Sequence, residues 1–168
     1  MVKKAEALFD IDSYKDTIIK DFIFSKNIVE AIDSQQENIF VADDLIHKNI
    51  FPYGYIPETI TKADSFVTVC VNNFKANSAN KSFANIEIKI RVIVHRTRQS
   101  VKGRPGPRVD YISKFIRELL DGSMKYGWGR LELFNTVEDA LDTNHAYREL
   151  HFKTVDMTLT TQRKAGRV

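Results

Sequence analysis

Apolar and polar residues alternate strictly from Ile86 to His95. Ile86, Ile88, Ile90, Val92 and Val94 fall on one side; Glu87, Lys89, Arg91 and His95 fall on the other. A period of two over that length predicts a β-strand with one buried and one wet face, the habit of antiparallel sheets. From Val109 the period becomes three and four. Val109, Ile112, Phe115, Ile116, Leu119 and Leu120 form one stripe, which predicts a helix that begins after Pro107 and stops at Gly122 with a left-handed cap.

The same rhythm starts earlier, at Ile11. Ile11, Tyr14, Ile18, Phe22, Val29 and Ile32 predict a first helix ending near Asp33-Ser34, with Ile19, Ile23 and Ile28 widening its apolar surface. Ile39–Val41 reads as a short strand and residues 43–47 as a turn of helix. Phe66–Val71 is a further strand, and residues 72–85, rich in Asn, Ser, Lys and Ala, read as a long loop or loose hairpin. Leu131 and Leu133 begin another strand. Residues 137–146 look polar and irregular, and a long strand from Tyr147 to Thr160 closes the chain. Its apolar phase flips at Thr154-Val155, which implies a bulge or a strand covered on both faces. The predicted class is α+β: a mainly antiparallel sheet, helices on one face, in the order α-β-β-α-β-β. One domain over 1–168 is expected, with 1–10 and 161–168 as flexible termini.

Two segments stand outside this pattern. Residues 49–60 contain two prolines and a glycine, which argue against regular structure, yet carry Ile50, Phe51, Tyr53, Tyr55 and Ile56. Such a segment either covers a core edge or is kept for a partner. The second is the loop 96–108, with Arg96, Arg98, Lys102, Arg104 and Arg108 and no acid. Like charges repel, so an extended, mobile loop is expected. Its functional reading is docking onto an acidic surface or onto DNA phosphates. Candidate interaction residues are therefore these five cations with Phe51, Tyr53 and Tyr55.

Composition changes little. The chain has 168 residues, 43% hydrophobic, and a net charge of +3, an ordinary globular make-up that needs no disulfide or metal staple. The one cysteine, Cys70, lies in a strand-like apolar run and reads as a small core residue. No stretch reaches the ~20 apolar residues of a membrane span, and acids precede any run of signal-peptide length, so a cytosolic protein without a membrane partner is expected.

Catalytic signatures are sparse. Glu87-Ile88-Lys89 resembles the E-x-K half of Mg-dependent restriction-endonuclease-like nucleases, with Asp64 as the upstream acid. Against it, Glu87 and Lys89 belong to the wet row that continues through Arg91 and His95. The four histidines, His47, His95, His145 and His151, show no paired metal spacing. No nucleophile elbow or phosphate-binding glycine motif occurs. The expectation is a protein that is not an enzyme and takes no metal or cofactor.

The order of elements resembles the tail terminators, the tail-to-head joining proteins of long-tailed bacteriophages. The features that carry it, over residues 60–160, are the Ile86–His95 strand, the loop after it, and the Arg108-Val-Asp-Tyr-Ile…Leu-Leu-Asp-Gly122 helix. Gly129-Arg-Leu-Glu-Leu133 and the closing Tyr147–Asp156 strand complete it. The resemblance implies a structural subunit of a hexameric ring that caps the tail tube and meets the neck. Its partners would be further copies of itself, the tail-tube protein and a head-connector or stopper protein. DNA would pass through the lumen without sequence-specific contact. Assembly would take place in the host cytoplasm, and the final location would be the virion. Another connector component, a stopper or adaptor, is the related alternative; the helix 109–120 argues against a mostly β stopper.

Overall fold

The computed structural model describes residues 11–32, 42–56, 63–76, 79–80 and 82–157. The expected strand at 39–41 and the expected flexible termini lie outside them. Among the described residues three α-helices are present: α1 (Ile11–Phe24), α2 (Lys26–Ile32) and α3 (Arg108–Leu120). Five strands, β1 (Ile50–Phe51), β2 (Ser65–Ala76), β3 (Phe83–His95), β4 (Glu132–Ala140) and β5 (His145–Met157), form one sheet in the order β1-β2-β3-β5-β4. All neighbours are antiparallel except β1 and β2. The α+β class with helices on one face is as the periodicity predicts; the element order is richer by α2 and β1.

Alternation on β3 sets the architecture. Ile86, Ile88, Ile90, Val92 and Val94 are buried and join Val67, Val69 and Val71 of β2 and Leu150 and Phe152 of β5 beneath the helices. From above, α1 contributes Ile18 and Phe22, α2 contributes Ile28 and Ile32, and α3 contributes Val109, Ile112, Ile116 and Leu120. Each such side chain stabilises the fold by roughly 1.5–3 kcal/mol relative to exposure. Pro107 occupies the N-cap of α3 and Gly122, at φ 82°, follows its end.

The single first helix predicted from residue 11 is two. Ser25 breaks it: its N–H bonds Phe22 O at 3.1 Å, and its carbonyl accepts from Ile28 and Val29 to start α2. Both halves keep an apolar stripe, which is why the periodicity runs through the break. Residues 72–85 are mostly strand. Pairing of β2 with β3 extends to Ala76 and Ala84 across an irregularity between Asn73 and Ala76. Residues 137–140 belong to β4, held by β5 despite their polarity. The prolines of 49–60 leave room for β1, which adds in parallel beside Val67 and Thr68.

The phase flip on β5 is no bulge. Pairing with β3 runs unbroken from Phe83↔Met157 to His95↔His145. Thr154 and Asp156 continue the buried side and are polar because they have partners there. The Thr154 hydroxyl donates to Gly129 O at 3.1 Å, and Tyr14 of α1 donates to the Asp156 carboxylate. Burial first, then that bond and the Asp156 charge, push the Tyr14 phenol well above its ordinary range. On the other side, Gly127 at φ 94° crosses so near β5 that a Cβ would lie 2.6 Å from Val155 O. The adjacent Trp128 N–H donates to that carbonyl at 2.9 Å.

Candidate assembly surfaces

The loop 96–108 is tied down rather than mobile. Arg108, only 4% exposed, is its staple. Its Nε donates to Arg98 O at 2.7 Å, one Nη to Ala31 O at 2.8 Å and the other to Ser100 O at 3.3 Å. Gln99 bridges Val94 O and the Val109 N–H, and Tyr111 Oη donates to Pro105 O at 2.7 Å. A guanidinium has five N–H donors in a rigid fork, so one side chain gathers carbonyls from two segments, the loop and the end of α2. Repulsion among the other cations is outweighed by these bonds.

The five cations therefore separate by role. Arg108 is buried and structural. Arg98 is half-buried, with Asp64 at 3.8 Å. Arg104 lies over the rings of Tyr111 and Phe115, 5.1 and 5.9 Å from their centroids, its residue otherwise exposed. Arg96 and Lys102 are exposed.

The segment around Phe51 divides in the same way. Phe51 is buried and stacks on Tyr55 at 4.0 Å; with Phe66, Ile93, Leu141 and Tyr147 they form a small second core on the sheet face opposite the helices. Tyr53, 48% exposed, and Ile56 project from it. The segment covers a core edge and also presents apolar surface.

Past that cluster the open face is a charge network. His151 Nδ1 lies 2.9 Å from Glu87 Oε1, and Nε2 lies 2.7 Å from Glu149 Oε1, off the hydrogen-bond direction. Arg91 donates to Glu149 at 2.7 Å and sits over the Tyr147 ring, and Lys89 is 3.6 Å from Glu87. Glu87 is buried, with Lys89 and the His151 ring as its partners. The nuclease constellation does not converge. Asp64 lies beside His95, whose N–H it accepts at 3.0 Å, at the far end of β3 from Glu87. At ~3.3 Å per strand residue the separation is about 26 Å.

Three features were not legible beforehand. A pocket of about 560 Å³ opens on this face, lined by Glu87, Arg130, Glu132, Phe134, Lys153 and Val155 among others. His95 and His145 meet as cross-strand partners, rings 5.0 Å apart and edge to face. His145 Nδ1 sits 3.0 and 3.1 Å from the two Asp142 oxygens. Partial desolvation pushes that carboxyl up, but the Asn144 N–H, the His145 ring and the His145 N–H outweigh it and hold it below its usual range. Third, β4 is exposed along eight of its nine residues, on both faces as well as its outer edge. The helices stop short of it and leave it as a wing.

The family model described as YomW matches residues 17–154. The chain belongs to the YomW family. YomW is a phage-type family, which makes this a phage-derived protein. The YomW match runs from within α1 into β5 and takes in the stapled loop, the aromatic segment and the wing. No curated protein matches the chain. Among the described residues no helix is long and apolar enough to cross a membrane.

Proposed function

We propose that this phage protein is a tail terminator: a structural subunit of a closed, hexameric ring that caps the tail tube and joins it to the neck. The observation that carries the reading is the wing. A strand exposed on both faces and along its edge gains little from its own subunit and is suited to burial against another. Phe134, 49% exposed, and Val137 sit in its middle. Tyr53 and Ile56 add exposed apolar surface beyond β1, at the opposite edge of the sheet. Surfaces at two different edges favour heterologous contacts, which close into rings when the rotation permits. Membership of a phage-type family is in accord with this role. The protein works by shape, with the tail tube and a connector protein as partners and DNA passing through the lumen.

Electron micrographs of virions labelled with an antibody against the chain test the reading. Label at the junction of head and tail, and ring-shaped particles or capped tubes from purified components, are the expected results. Label elsewhere, or virions without the protein, would overturn it.

A further inference from the structure

Charge is segregated along this chain. Residues 96–108 hold five cations and no acid. Residues 131–142 hold four acids, Glu132, Glu138, Asp139 and Asp142, and no cation. The two segments meet at one end of the sheet, where the Arg96 N–H donates to Asn144 O at 2.7 Å just past the acidic turn, and β4 runs away from there. The basic loop caps the end of β3, and the acidic segment is the sheet's β4 edge with its following turn. We infer that the basic loop of one copy docks on the β4 wing of a second copy. This rests on the ring reading above and gives that ring a specific contact.

Both surfaces are suited to it. On the loop, Arg96, Lys102, Arg104 and Pro105 are exposed, while Arg108 and Gln99 hold the backbone beneath them. A pre-ordered loop loses little freedom on binding. On the wing, Phe134 and Val137 are flanked by acids, an apolar centre with a charged rim. Glu138 is held at 2.6 Å by the part-buried Arg148, but the Glu132 pair is shallow: Lys153 lies 3.5 Å away with both side chains more than half exposed. Such pairs are worth little and exchange readily for a partner's charge. The edge is also guarded. A register shift between Leu133 and Asn135 and the acids near both ends of the strand discourage bare strand addition. The contact is then made through side chains, and loop-on-wing docking joins two different surfaces of the chain.

Two full-length variants test it. One reverses the loop with Arg96→Glu and Lys102→Glu; the other reverses the wing with Glu132→Lys and Asp139→Lys. Self-association is read by sedimentation velocity and cross-linking at low and high salt, with circular dichroism to confirm folding. The wild type should associate, more weakly as salt rises. Each variant alone should associate about tenfold or more weakly. An equimolar mixture should recover association, because each reversed surface then meets its complement in both directions.

Wild type that stays monomeric at every salt, variants that associate like wild type, or a mixture no better than its components would each overturn the contact. So would a loop variant that loses only binding to a DNA duplex, which would make the loop a polyanion site. Wild-type rings indifferent to both reversals would remove this contact and leave the ring reading standing. Charge-dependent pairing by a protein absent from the head–tail junction would do the reverse.

Discussion

Arg108 donates to the carbonyl of Ala31 at 2.8 Å, joining the first turn of α3 to the last turn of α2 across 77 residues of sequence. The same guanidinium holds Arg98 O and Ser100 O. One side chain thus docks two helices and orders the loop between β3 and α3.

Arg108→Ala should destabilise the protein by about 3 kcal/mol, since it leaves several carbonyls without donors. Lys102→Ala should stay within about 0.5 kcal/mol. Denaturant midpoints check both, and limited proteolysis should find the loop cleaved only in the Arg108 variant. Equal midpoints would remove the staple.

Tyr14 and Tyr126 should resist alkaline titration. Burial, then hydrogen bonding to Asp156 and Asp21 respectively, push both phenols up from 10.0. In the unfolded chain they ionise near pH 10 while the folded chain keeps them protonated. Stability from these groups is therefore fully present below pH 10 and is lost as pH rises above it. Tyr14→Phe and Tyr126→Phe should each remove phenolate absorbance that otherwise appears only with alkaline unfolding.

Asp142 carries the opposite sign. Its carboxyl is held below the ordinary 3.8, so its contribution is present above that pH and is lost as pH falls through the lowered folded-state value. Asp142→Asn should flatten the acid side of the stability curve and release the His145 ring. Histidine NMR signals and acid unfolding midpoints read both effects. An unchanged acid limb would show that the contact is energetically silent.

Two glycines at positive φ should respond differently. Gly106→Ala meets open space at φ 100° and should cost about 1–2 kcal/mol for the left-handed backbone. Gly127→Ala adds an overlap with Val155 O and should cost about 3 kcal/mol or more. Thermal unfolding separates them; equal losses would mean the crossing beside β5 gives way at no cost.

Elements with a repeating apolar face were legible in the chain. The β3 row from Ile86 to Val94 and the α3 stripe from Val109 to Leu120 appear at their expected places because burial of one face is decided by local spacing alone. The small second core around Phe51 was half legible: its bulk was plain, its resting place on Phe66 and Ile93 was not.

Local pattern determined which residues form the helices and the central strands, and that one sheet face is apolar and the other charged. Tertiary structure decided the rest, because each remaining outcome depends on groups far apart in sequence. β5 holds the polar residues 137–140 in a strand by backbone bonds that side-chain periodicity does not record. Asp156 is buried because Tyr14 reaches it, 142 residues away. The five cations of one loop became a staple, a half-buried partner of Asp64, an aromatic-backed arginine and two exposed charges according to what the rest of the chain placed beneath them.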